Sequence, residues 1–206
     1  MKICVFCGSS AGTNASYIDT ATELGEQMAR RGVGLVYGGG NTGLMGAVAK
    51  GCASNGGDVH GIIPKALVTR ERRGSSTEHD GTTVVPDENE YGRTTLVDDM
   101  HTRKRKMGEE SDAFVALPGG FGTLEELMEV TTWSQLSIHS KPIVVLNING
   151  FWDPFLKFIE TTVDAGFVSE ANSKIIIKAN SVDEMFEQLE QFKVPSGRFN
   201  LNWSST

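Results

Sequence analysis

Short apolar runs alternate with longer segments of helical periodicity along almost the whole chain, and few architectures accept that pattern. A strand that follows a long helical crossover rejoins its sheet in parallel, so the alternation implies repeated βαβ units and a parallel sheet. The runs Ile3 to Cys7, Gly34 to Tyr37, Val59 to Ile63, Ala113 to Leu117, Ile143 to Asn147 and Ile175 to Lys178 read as strands. Tyr17 to Arg31, Leu44 to Asn55, Thr94 to Glu110, Thr123 to Leu136, Phe151 to Ala165 and Val182 to Phe192 repeat apolar residues at helical steps and read as helices. The class is α/β.

The polar stretch Ser75 to Arg93 breaks this rhythm, with only Thr82 to Val85 as a short strand, and reads as a surface insertion. Residues 1–194 are expected to form one domain that contains this insertion at 75–93, and 195–206 to form an irregular tail. A net charge of -7 gives no electrostatic reason to bind nucleic acid or an anionic membrane. No apolar run approaches the roughly 18 residues of a spanning helix, and the opening Met1 to Gly8 is too short an apolar stretch for a signal peptide, so a cytoplasmic location is expected. Cys4, Cys7 and Cys52 cannot all pair. The C-x-x-C of Cys4 and Cys7 lies inside an apolar run, which favours buried strand residues over a redox pair or a zinc site.

Glycine is in excess, 24 of 206 residues, and clustered. Gly8 to Gly12, Gly38 to Gly43 and Pro118 to Thr123 each follow an apolar strand and open a helix. In a parallel sheet, ligands bind beyond the carboxyl ends of the strands, where free backbone N–H groups and helix N-termini suit a phosphate. Gly38 to Gly43 matches G-x-G-x-x-G, but the next strand ends Ile62-Ile63-Pro64 without the acid that would hold a dinucleotide ribose, and Asp58 stands at its other end. No Gly-Lys-Ser or Gly-Lys-Thr follows the glycines, so a Walker loop fails too.

A basic cluster, Met100-His101-Thr102-Arg103-Lys104-Arg105-Lys106, precedes the strand that delivers the third loop, and Glu125, Glu126 and Glu129 follow that loop. Spacing puts Glu126 and Glu129 on one face of a helix and Glu125 elsewhere, and it leaves open whether one or both of the first two face the cleft. His60, His79, His101 and His139 are scattered, without a nucleophile turn or a ligand set, so neither triad chemistry nor a metal site is expected.

Pro118-Gly119-Gly120-Phe121-Gly122-Thr123-Leu124-Glu125-Glu126 resembles the P-G-G-x-G-T-x-x-E signature of the LOG family, phosphoribohydrolases often described as lysine decarboxylases. Cys4 to Ser10, Tyr37 to Gly40 with Gly43 to Gly46, Ile63-Pro64-Lys65 and Met100 to Lys104 are similar to further blocks of that family, in its order, over roughly Lys2 to Val168. The resemblance implies a Rossmann-like, doubly wound, mostly parallel sheet with helices on both faces. It also implies a homodimer that cleaves the N-glycosidic bond of a nucleoside 5'-monophosphate, cytokinin ribotides foremost, releasing base and ribose 5-phosphate. By position, Arg103 and Glu126 resemble the catalytic pair. Gly39, Gly40, Gly43, Lys104, Gly119, Gly120, Phe121, Gly122, Thr123, Glu125 and Glu129 are the expected substrate-binding positions, and Glu71 and Thr132 are similar to residues lining the same pocket. No cofactor is expected, since no lysine is marked out for a pyridoxal Schiff base. The alternatives are an AMP or general nucleotide nucleosidase of the same chemistry, and a nucleotide- or cofactor-binding protein that hydrolyses nothing.

Overall fold

The computed structural model describes residues 1–68, 85–199 and 201–203. Among them, strands β1 (Lys2–Phe6), β2 (Gly34–Tyr37), β3 (Val59–Pro64), β4 (Arg93–Val97), β5 (Ala113–Ala116), β6 (Ile143–Leu146) and β7 (Ile176–Ala179) form one sheet. Its order is β4-β3-β2-β1-β5-β6-β7, and every neighbouring pair is parallel. The helices are α1 (Ala15–Arg30), α2 (Gly43–Ala53), α3 (Glu88–Tyr91), α4 (Met100–Glu110), α5 (Phe121–Gln135), α6 (Asp153–Asp164), α7 (Glu170–Ser173) and α8 (Val182–Glu190).

Side chains alternate across the strands and build a core on each face. Ile3, Val5, Leu35, Tyr37 and Val115 pack with Leu24 and Met28 of α1, Val48 of α2 and Met185 of α8. Cys4, Phe6, Val36 and Phe114 pack on the opposite face with Met107 of α4 and Leu127 and Val130 of α5. All three cysteines are buried and unpaired. The sheet is therefore doubly wound, as the sequence pattern and the resemblance imply. Helices α1 and α2 approach closely because Gly51 faces α1: a side chain there would bring Cβ to 2.6 Å from the Thr22 carbonyl oxygen. The chain winds from β1 out to β4 and then returns to β5 on the other side of β1, so loops leaving β1 and β5 diverge and open a crevice between them.

The expected helix Thr94 to Glu110 is corrected by the structure. Its first residues belong to β4, which pairs with β3 from His60↔Arg93 to Pro64↔Val97, and α4 begins only at Met100. The physical cause is a cap: the Asp99 carboxylate accepts from the Thr102 amide and hydroxyl, both at 2.8 Å, and starts the helix there. Of the expected insertion, Ser75 to Val84 lie outside the described residues, as does most of the strand expected at Thr82 to Val85, whereas Glu88–Tyr91 form α3 and Arg93 opens β4. The tail packs irregularly on the end of α5. The Phe199 amide donates to the Gln135 carbonyl at 2.8 Å, Trp203 Nε1 to that of Leu136 at 2.8 Å, and Arg198 Nη1 to that of His139 at 2.7 Å. Among the described residues no helix is long and apolar enough to cross a membrane.

Candidate active site

The three glycine-rich loops meet at the carboxyl edge of the sheet and are tied to one another through their backbones. The Gly8 amide donates to the Pro118 carbonyl at 3.0 Å, and the Gly8 carbonyl accepts from the Leu44 amide at 3.1 Å. Thr42 Oγ1 donates to the Ser9 carbonyl at 2.9 Å. Between the first and third loops lies a cleft of about 350 Å³, lined by Gly8 to Gly12, Pro118 to Gly120, Tyr17, Leu44 and Phe151.

The loops use their glycines differently. In the second loop the space a side chain would fill is already taken. A Cβ at Gly39, where φ is +77°, would overlap Ile63; one at Gly43, where φ is +55°, would overlap the Ser9 and Ser10 backbone; one at Gly40 would meet Met45 Cε at 3.1 Å. In the third loop, a Cβ at Gly120 or Gly122 would meet nothing within 4 Å. Gly120 is also the N-cap of α5 and supplies no side chain to it, so the N-cap residue leaves the first-turn amides of that helix without a side-chain acceptor. Gly119 admits the Thr123 side chain, which is buried beneath the loop. Phe121 projects outward and is 93% exposed. An anion would find the amides and the positive end of α5 together at this third loop.

Arg103 and Glu126 form an ion pair and are both buried, at 8% exposure each. Arg103 sits one turn into α4, and its Nε donates to the Ile62 carbonyl of β3 at 3.1 Å. Glu126 lies one turn beyond Thr123 on α5, on the same inward side. Burial pushes the Glu126 carboxyl above its ordinary value, and the Arg103 guanidinium opposes that rise without cancelling it.

Lys104, the next residue on α4, engages the other two carboxylates of α5. Its ammonium donates to Glu125 at 2.6 Å and Glu129 at 2.9 Å. Burial works to lower its pKa, but the two carboxylates prevail and hold it above its ordinary value. The carboxylates thus divide differently from the reading by spacing. Glu125 and Glu129, four residues apart, share Lys104, while Glu126 alone turns inward. Thr132 lies farther along α5, exposed, with its hydroxyl donating to the Met128 carbonyl at 2.8 Å, and lines a groove between α5 and α6 with Met128, Phe155 and Phe158. Glu71 lies outside the described residues.

The structure therefore brings Arg103, Glu126, Thr123 and Gly119 to Gly122 together at the start of α5, ties Lys104 of α4 to Glu125 and Glu129 instead, and leaves Thr132 farther along α5. Reading the sequence missed the Asp99 cap and the Ile62 carbonyl. The Asp-Asp pair ahead of Met100 was a usable sign of the first, whereas a backbone acceptor leaves no sign of the second. Among the described residues no group of three or more His, Cys, Asp or Glu side chains is placed to hold a metal ion.

Residues 45–189 match a family model described as possible lysine decarboxylase. Over 202 residues the chain is 46% identical to the cytokinin riboside 5'-monophosphate phosphoribohydrolase LOG of Oryza sativa subsp. japonica, covering 98% of this chain and 77% of that protein. A cytokinin riboside 5'-monophosphate phosphoribohydrolase of Arabidopsis thaliana is likewise 46% identical over 207 residues, covering 100% of this chain and 91% of its own. Among solved structures, the molybdenum cofactor carrier protein of Chlamydomonas reinhardtii superposes with a TM-score of 0.62 at 25% identity, over 92% of this chain and 96% of that one.

Proposed function

Because this chain belongs to the LOG family of phosphoribohydrolases, whose family model is described as possible lysine decarboxylase, we propose that it hydrolyses the N-glycosidic bond of a nucleoside 5'-monophosphate of the cytokinin riboside type. One observation carries the reading: a buried Arg103–Glu126 pair stands one helical turn from an uncapped, glycine-lined helix N-terminus. The N-terminus of α5 takes the 5'-phosphate and fixes the ribose, and Glu126 acts at C1'. As the C1'–N bond breaks, positive charge builds on the ribose, and a carboxylate shielded from water stabilises it. Glu126 then accepts a proton from the attacking water, whose oxygen bonds to C1', while the departing nitrogen keeps the C1'–N electron pair and takes up a proton from solvent. Glu126 afterwards releases its own proton to solvent, so that one water is divided between ribose and base. An elevated carboxyl pKa brings the base closer to its working pH. Arg103 cannot serve as the acid, because a guanidinium stays protonated. It keeps Glu126 ionised and aimed.

The test is chromatography of products from a panel of monophosphates and the matching nucleosides. Monophosphates are expected to release free base and the nucleosides to react at least about a hundredfold more slowly, since they forfeit the contacts to the α5 N-terminus. Equal kcat/KM for AMP and adenosine would overturn the phosphate assignment, and binding without release of base would leave a nucleotide-binding protein on this fold.

The same reading includes a homodimer at work in the cytoplasm, without a nucleic-acid partner. The net charge of -7 supports the last point. Exposed Met128 and Phe158 beside the α5–α6 groove are apolar surface of the kind a second copy covers. Light scattering at micromolar concentration is expected to give twice the chain mass, and a value near 22.3 kDa would contradict the dimer.

A further inference from the structure

We infer that Gly38 is a positioning residue for the Arg103–Glu126 pair, because the space its missing side chain leaves is the space the guanidinium occupies. The inference rests on the catalytic role proposed for that pair, but its structural part is independent of it. Gly38 follows β2 directly and stands at the head of the second glycine loop. A Cβ built on it would overlap Arg103 Nη2, come within 3.6 Å of Arg103 Cζ and reach Met45 Sδ at 3.1 Å. The terminus of an arginine usually swings away from such a clash, but this one is fixed at two other points. Its Nε donates to the Ile62 carbonyl and its Nη1 to Glu126. Both the arginine and its carboxylate are buried, so the guanidinium has little room to retreat without breaking one of those bonds.

The second glycine loop thereby gains a purpose that its G-x-G-x-x-G spacing does not suggest. It is a bed for protein side chains, with Arg103 over Gly38, Ile63 against Gly39 and Met45 against Gly40. A methyl group at Gly38 would shift the charge that opposes the burial of Glu126. The charged and titratable groups facing that carboxylate are Arg103 and Lys104 from α4, Glu125 on its own helix, and the Cys4 and Cys7 thiols of the β1 segment. Only Arg103 among them is in direct contact with it as a cation.

The experiment is a Gly38→Ala substitution, alone and combined with Arg103→Ala, read by thermal unfolding and by steady-state kinetics across pH. Displacement of a positioned charge by about an ångström is expected to lower kcat by roughly 10²-fold, with a smaller change in KM. The acid limb of the kcat profile is expected to move to higher pH, since Glu126 loses its cation; a role in folding alone would not move it. Gly108→Ala, on the same helix as Arg103, would place a Cβ at an ordinary 3.5 Å from Trp133 and is expected to retain kcat. In the unfolding series, Gly38→Ala is expected to lower Tm in the wild-type background and much less in the Arg103→Ala background, where the space is free. An equal Tm loss in both backgrounds, or an unshifted acid limb with wild-type kcat, would overturn the inference. If wild-type protein releases no base from any monophosphate, the proposed reaction fails, and the unfolding cycle still decides whether Gly38 and Arg103 share this space.

Discussion

Helix α4 carries two ionic arrangements at its two ends, and they are built in opposite ways. At its last residue, Glu110 accepts from Lys2 at 2.7 Å, Arg93 at 2.9 Å and His60 Nδ1 at 2.6 Å, near the amino ends of the strands. Burial would raise its carboxyl, but these partners prevail and hold it down at about 2. One turn into the same helix, Arg103 offers Glu126 a single cation in a buried setting, and there burial prevails. The surplus of donors around Glu110 makes a charge that stays fixed across physiological pH and stabilises the fold. The shortage around Glu126 leaves a carboxylate whose charge is costly in the resting protein and, in the reaction proposed above, would become favourable as positive charge develops beside it.

Two substitutions sharpen the contrast. Arg103→Ala has the larger expected effect, because it leaves Glu126 buried without a cation. Stability is expected to fall by about 3–5 kcal/mol and kcat by about 10²-fold or more, checked by denaturant unfolding and turnover. An unchanged unfolding midpoint would show that the pair is not buried as described. Glu110→Gln is expected to cost about 1–2 kcal/mol at neutral pH, discounted for the partial exposure of Lys2 and Arg93, with kcat within about twofold of wild type. Its pH dependence has a definite sign. The folded carboxyl titrates below the unfolded one, so the stabilisation is present above the ordinary value of 4.5 and is lost as pH falls toward about 2. Unfolding curves of wild type and Glu110→Gln are therefore expected to converge in acid, and a gap that widens there would break the comparison.

The sheet and its helices were legible because burial on both faces writes long apolar runs into β1, β2, β5 and β6. The edge strand β4 was not legible. It is half-exposed, with Leu96 at 43%, and its Arg-Thr-Thr-Leu-Val lacks the apolar run of a central strand, so it blends into the periodicity of the helix that follows. The glycine loops suggested a ligand edge, and at the third of them a Cβ on Gly120 or Gly122 would meet nothing within 4 Å. Which glycines face solvent and which face a side chain was invisible, because it depends on residues far away in sequence. Gly38 and Arg103, and Gly39 and Ile63, meet only through the strand order. The division of the acids between Arg103 and Lys104 is another tertiary fact, since helical spacing fixes which residues share a face but not what that face meets.

The most direct measurement is the turnover of Glu126→Gln beside its affinity for nucleotide. The substitution keeps the size of the side chain and removes only the charge assigned to the ribosyl cation. The expected result is that kcat falls by about two orders of magnitude or more while nucleotide still binds with an affinity close to that of wild type, with Glu125→Gln distinctly milder. A folded Glu126→Gln protein that turns over near the wild-type rate, while Glu125→Gln or Glu129→Gln abolishes activity, would contradict it.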